Sequence, residues 1–84
     1  MPRIHNPLAP VPDGVEEHPH QNFVIRLEFY VLAEGEYVVS PYIEGSRGGS
    51  LVEKHFPLQA QFKTKDEARA AALEEGRKLI AAGL

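Results

Sequence analysis

The sequence contains no cysteine and no tryptophan, and it is only 84 residues long. Without cysteine, neither disulfide bonds nor thiolate metal ligands can supplement the small hydrophobic core of such a chain. At this size the entropic cost of ordering the chain nearly cancels the stabilisation that comes from burying apolar surface, so self-association would add stability. We therefore expect a homodimer before any individual residue is considered.

Basic residues are outnumbered, since nine lysines and arginines stand against twelve aspartates and glutamates, giving a net charge of −3. A chain of this charge has no long-range attraction for DNA or RNA. Long hydrophobic runs are also missing, because Arg26 and Glu28 interrupt the most apolar stretch, and no stretch is long enough to span a membrane. The opening Met-Pro-Arg-Ile-His lacks the apolar run of a secretory signal, so we expect a soluble cytoplasmic protein.

Residues 1–22 hold five of the seven prolines and three of the four histidines, with few bulky apolar side chains. Such a composition does not build a core, and proline removes backbone donors while fixing φ. We interpret residues 1–22 as a disordered, extended Pro/His-rich arm and residues 23–84 as the folded domain.

Alternation of apolar and polar side chains begins at Phe23 and predicts a first strand. Its odd-numbered side is wholly apolar and should face the core, with members Phe23, Ile25, Leu27, Phe29 and Val31. Its even-numbered side mixes charge with apolar and aromatic groups, and its members are Val24, Arg26, Glu28, Tyr30 and Leu32. Residues 33–36 then turn the chain, with Gly35 expected at positive φ.

Two further strands are predicted, over Tyr37–Glu44 and Leu51–Phe62. Pro41 interrupts the second strand, and because proline donates no ladder hydrogen bond we expect a sheet edge or a bulge there. The glycine-rich residues 45–50 predict a flexible hairpin loop that carries Arg47 as a candidate contact. In the third strand the apolar side chains share even parity and should face the core; they are Val52, Phe56, Leu58, Ala60 and Phe62.

Thr64 and Glu67 have the spacing of a capping box, which predicts a helix that begins after Thr64. Small and apolar side chains recur on one helical stripe, and Gly83 is a natural C-terminal stop. The stripe consists of Ala68, Ala72, Leu73, Gly76, Leu79 and Ile80. It should lie on the phenylalanine-rich side of the sheet.

The sequence therefore predicts an α+β domain: a three-stranded antiparallel sheet (β-β-β-α) with one C-terminal helix on one face. The opposite face would be open to a partner. We interpret Val24, Arg26, Tyr30, Leu32 and Tyr42 as the candidate partner-binding surface.

Catalytic, metal and cofactor signatures are weak. His5, Glu16, Glu17, His18 and His20 are of ligand type, but an arm without fixed geometry does not make a metal site, and we expect none. The glycine-rich loop joins two strands and lacks the lysine and helix of a phosphate-binding loop. His55 stands without a paired nucleophile, so we predict no catalytic residue, no cofactor and no enzyme activity.

The run Phe62-Lys-Thr-Lys-Asp-Glu-Ala resembles the "F-x-T-x-x-E-A" element that opens the last helix in a DUF-type family of small uncharacterised bacterial domains. The layout also resembles the arm-type DNA-binding domain of phage integrases, whose three-stranded sheet reads DNA. Both resemblances imply the β-β-β-α fold. The second implies basic residues on the exposed sheet, an expectation that Arg26 meets and Glu28 contradicts.

These observations favour a non-catalytic interaction module that self-associates or binds a protein through the open sheet face. The alternative is a nucleic-acid-binding domain that uses the same face, with tyrosines that stack on bases.

Overall fold

The structure is a computed structural model, and it describes residues 11–83. Four strands form one antiparallel sheet in chain order: β1 (Gly14–His20), β2 (Phe23–Val31), β3 (Tyr37–Arg47) and β4 (Ser50–His55). One helix, α1 (Lys65–Ala81), packs against β2 and β3. The predicted α+β class, with an antiparallel sheet and one C-terminal helix, is confirmed.

The prediction of three strands is wrong, because residues 14–20 of the expected disordered arm form a fourth. β1 pairs with β2 along its whole length, from Gly14 opposite Phe29 to His20 opposite Phe23. Pro19 does not prevent this, because β1 is an edge strand and the position of a missing N–H can face outward there. Residues 1–10 of the predicted arm lie outside the described residues.

β1 is held to the helix by charge rather than by apolar burial. Arg69 donates from Nε and Nη2 to the two carboxylate oxygens of Glu16, both at 2.7 Å, and from Nη1 to Asp66 at 2.5 Å. His18 Nε2 lies 2.9 Å from the same Glu16 carboxylate. The bidentate bond to Arg69 is the main reason that the pKa of Glu16 falls to about 2.

The core lies between α1 and the side of the sheet that carries the odd-numbered residues of β2 and β3, as the strand pattern predicts. Phe23, Ile25, Leu27 and Phe29 are buried, whereas Val31 at the end of β2 is 48% exposed and leaves the predicted set. The remaining buried hydrophobic side chains are Val39, Ile43, Phe56, Ala68, Ala72, Leu73 and Ile80. Partly buried Val52, Leu58, Phe62 and Leu79 pack against them, whereas Ala60 is exposed.

Gly76 lets the helix approach the sheet closely. A Cβ at this position would lie 3.0 Å from Ile25 Cδ1 and 3.1 Å from Phe56 Cζ. The expected start and stop of the helix are confirmed, since Thr64 Oγ1 accepts from the Glu67 amide at 3.1 Å and Gly83 has φ +96°. The reciprocal half of the capping box differs, because the Glu67 carboxylate accepts from the Lys63 amide at 3.2 Å.

Of the two alternatives predicted for Pro41, the bulge is excluded and the local edge is found, because the β3–β4 ladder ends at Tyr42 opposite His55 and leaves β3 without a ladder partner on that side at Pro41. The register of β3 against β2 is continuous through Leu27 opposite Pro41, and the Pro41 carbonyl accepts from Phe56 N at 3.1 Å. The backbone groups of one residue in a strand point to one side, so the missing N–H faces the β4 side. No ladder pair is broken there, because the β3–β4 ladder ends at Tyr42 opposite His55.

β4 is shorter than predicted and ends at His55. Tyr37 and Phe62 then exchange two backbone hydrogen bonds of 2.7 and 2.8 Å, and residues 57–61 loop out between the two paired regions. The predicted six-residue loop is shorter as well: β3 runs to Arg47, and only Gly48 and Gly49, both at positive φ, form the turn. Gly35 has φ +89° as expected.

Replacing Glu16 with glutamine should lower the free energy of unfolding by about 1–2 kcal/mol at neutral pH. The side chains of Glu16 and Arg69 are each 29% exposed, so screening by solvent makes the free energy of their interaction smaller than the pKa shift alone would imply. Because the folded-state pKa lies below the ordinary value of 4.5, the stabilisation is complete above that pH and is lost as pH falls towards 2. Denaturant unfolding of both proteins across this range measures the difference.

Glu17→Gln is the matched control, since Glu17 lies on the opposite side of β1 and should change stability by only a few tenths of a kcal/mol. A Glu16→Gln protein as stable as the natural chain at neutral pH would contradict the docking of β1 by Arg69.

Candidate functional site

The side of the sheet away from α1 is the candidate site, and we call it the open face. It comprises the even-numbered side of β2 and β3 with their cross-strand partners on β1 and β4. Its members are Val15, Glu17, Pro19, Val24, Arg26, Glu28, Tyr30, Val38, Ser40, Tyr42, Glu44, Ser46, Leu51, Glu53 and His55. No other strand or helix of residues 11–83 packs on it, because α1 buries its apolar stripe on the opposite side.

Three side chains stack at the centre of the open face. Arg26, Tyr42 and His55 are direct cross-strand neighbours on β2, β3 and β4. The Tyr42 and His55 rings lie 4.5 Å apart at an interplanar angle of 21°, and the Arg26 guanidinium carbon lies 4.7 Å from the Tyr42 ring centroid. Cross-strand aromatic and cation–π contacts of this kind hold side chains in place without burial.

Arg26 is incompletely paired. Its terminal nitrogens lie 3.7 Å from a carboxylate oxygen of Glu28 and 3.7 Å from one of Glu44, beyond hydrogen-bonding distance. Its Nε is buried and has no hydrogen-bond partner within residues 11–83. The guanidinium therefore attracts both carboxylates without fully satisfying either.

Tyr30 lies at one end of the open face, where its hydroxyl donates to Glu28 at 3.0 Å. Partial burial, followed by the neighbouring Glu28 carboxylate, raises the pKa of the Tyr30 phenol. Tyr30 is thus a neutral, half-buried ring whose hydroxyl is already committed to a partner.

Ser40 and His55 are the one hydroxyl–imidazole contact that the described hydrogen bonds contain, with Oγ and Nε2 at 2.8 Å. Nucleophilic catalysis requires a third group that orients the base and donors that stabilise the oxyanion. Here the other close neighbour of His55 is the Tyr42 ring. The contact holds the edge strand β4 against β3.

The structure places four of the five residues of the predicted surface on the open face: Val24, Arg26, Tyr30 and Tyr42. Leu32 lies just beyond β2, half-buried in the hairpin, where its amide donates to Glu36 O at 2.7 Å. Arg47 lies at the end of β3, where it donates to the Gly83 carbonyl and lies 6.0 Å above the Phe23 ring. It belongs to the helix side of the sheet.

Four further residues of the open face were not part of the predicted surface: Ser40, Glu44, Glu53 and His55. Parity alone placed His55 opposite the core, but only the register shows that it stacks on Tyr42. Two concavities border the open face: one of about 520 Å³ lined by Val38 and residues 58–61, and one of about 310 Å³ lined by Glu44, Gly45 and residues 51–53.

The candidate metal ligands do not converge. Glu16 and His18 lie on the helix side next to Arg69, Glu17 lies on the open face, and His5 lies outside the described residues. Residues 11–83 contain no group of three or more His, Cys, Asp or Glu side chains that could hold a metal ion. In the same residues, no helix combines the length and apolar character needed to cross a membrane.

No protein-family model, curated protein or solved structure matches this chain. The resemblances to the bacterial domain family and to the integrase arm domain therefore stay predictions, and the function is argued from the site itself.

A double-mutant cycle should detect the stack. Arg26→Met and Tyr42→Leu should each destabilise the fold. Each single variant removes the cation–π contact, so the double variant should lose about 0.5–1 kcal/mol less stability than the sum of the two single losses. Urea unfolding of the four proteins measures it. The same cycle with Tyr37→Leu, on the helix side, should be additive; equal coupling in both cycles would contradict the stack.

Proposed function

We propose that this chain is a non-catalytic interaction module that binds a protein, or a second copy of itself, through the open face. The observation that carries the proposal is that no other strand or helix of residues 11–83 covers two tyrosines and two valines on the central strands, Tyr30, Tyr42, Val24 and Val38. Sheets covered on one face usually present a mainly polar opposite face. A surface on which tyrosine and arginine lie among apolar side chains has the composition of a protein-interaction site.

The rigidity of the open face supports this proposal. Tyr30, Tyr42 and Arg26 lie on the two central strands and are held by neighbours on the same face. Tyrosine and arginine are enriched among the residues that contribute most to binding. Side chains fixed before binding lose less conformational entropy in the complex.

Nucleic-acid binding through the open face is the competing proposal, and the Arg26–Tyr42–His55 stack is the feature that favours it. Bases stack on such rings. The four carboxylates on the same face oppose it, because each repels phosphate. Titration with labelled single-stranded DNA and RNA at low ionic strength tests it, and no salt-sensitive binding would eliminate it.

Tyr30→Glu tests the interaction module. It places a charge in the apolar surface and should abolish association, measured by sedimentation across the micromolar range and by recovery of partners from the source lysate. Ala70→Glu makes the same change of charge on the exposed side of α1 and should leave association intact. Circular dichroism establishes that both variants are folded.

A strict monomer that retains the same proteins with and without Tyr30→Glu would contradict the proposal.

A further inference from the structure

The open face is acidic. It carries four carboxylates, from Glu17, Glu28, Glu44 and Glu53, against the single guanidinium of Arg26. With His55 neutral, its net charge of −3 equals that of the whole chain. The excess charge of the protein is therefore concentrated on the open face, which no other strand or helix of residues 11–83 covers.

The arrangement of these carboxylates costs stability. Glu44 and Glu53 are direct cross-strand partners, and like charges in that position repel. Among residues 11–83, no cation lies within salt-bridge distance of Glu53 or Glu17. Arg26 is 3.7 Å from Glu44 and is shared with Glu28.

Apolar surface lies beside this acidic pair. Glu44 and Glu53 line the concavity of about 310 Å³ together with Leu51, whose side chain is 92% exposed. The ring of Tyr42 lies next to Glu44 on the same side of β3. A side chain entering here would meet carboxylate oxygens and hydrocarbon together, which suits the ammonium or guanidinium and the methylene stem of lysine or arginine.

We infer that the partner of the open face is a protein segment carrying lysine or arginine among apolar side chains, with a cation seated between Glu44 and Glu53. This inference rests on the proposed function and names the partner class for the same site. The apolar side chains of the segment would cover Val24, Val38 and Tyr30. Its cations would neutralise the charge that the fold itself leaves unpaired.

The negative charge of the open face favours a cationic protein segment over a second copy of the chain, nucleic acid or anionic lipid. Two copies packed open face to open face would bring eight carboxylates together against two guanidinium groups, so self-association through this face is opposed. Nucleic acid and anionic lipid are opposed for the same reason. A cationic segment is the occupant whose charge complements the face.

A pair of peptides tests the inference by titration into the isotopically labelled protein. In the first, valine alternates with lysine; in the second, valine alternates with glutamate. The lysine peptide should shift the backbone amide signals of β3 and β4 on the open face, and its affinity should fall as salt is raised. The glutamate peptide should produce no shifts there.

The double variant Glu44→Gln/Glu53→Gln should bind the lysine peptide about tenfold more weakly, because two exposed ion pairs are lost. Glu34→Gln/Glu74→Gln makes the same change of net charge at exposed positions outside the face and should bind as the natural chain does. Thermal unfolding establishes that both double variants fold. Removal of the repulsion should leave the first at least as stable as the natural chain.

Three results would overturn the inference: no binding of the lysine peptide, equal binding by the Glu44→Gln/Glu53→Gln variant, or tighter binding of the glutamate peptide. If one of these appeared while Tyr30→Glu still abolished association, the interaction module would stand and its partner would be of another class. If Tyr30→Glu also had no effect, both proposals would fall.

Discussion

Strand β2 has a neighbour on each side, and buried and half-buried side chains alternate along it from Phe23 to Tyr30. Its odd-numbered residues supply much of the core, and its even-numbered residues supply the middle of the open face. A slip of one residue in its register would exchange the two sets, placing Arg26 and Glu28 under the helix. The cost of burying those charges without partners fixes the register, and every feature of the open face depends on it.

The parts of the fold that follow from local chemistry could be predicted. Phe29 and Ile25 lie in the core because alternation leaves them no other side, and Thr64 caps the helix because its hydroxyl accepts an otherwise unpaired amide. β1 could not be predicted in this way. Its helix-facing residues include Glu16 and His18, so it lacks the apolar alternation of a strand, and its binding to Arg69 depends on a residue 53 positions away.

The open face was predictable in outline but not in its chemistry. The parity of β2 placed Tyr30 and Arg26 together from the sequence alone. The stack of Tyr42 on His55 and the opposition of Glu44 to Glu53 depend on how β3 pairs with β4. That pairing is set by the two-residue turn at Gly48 and Gly49, which is tighter than the glycine-rich sequence suggests. Glu44 and Glu53 are therefore brought together by the register of β3 against β4, and no sequence motif marks them.

The two edges of the sheet differ. His20 flanks the two-residue turn between β1 and β2, so its backbone groups hydrogen-bond to β2. The backbone of the neighbouring Pro19 faces the opposite way, and the position of its missing N–H lies at the outer edge of β1. β4 presents an outer edge without proline. The outer edge of β1 is therefore a poorer template for the addition of a further strand than the outer edge of β4. Open-ended growth of the sheet from copy to copy needs both edges, so an edge weakened at Pro19 disfavours it.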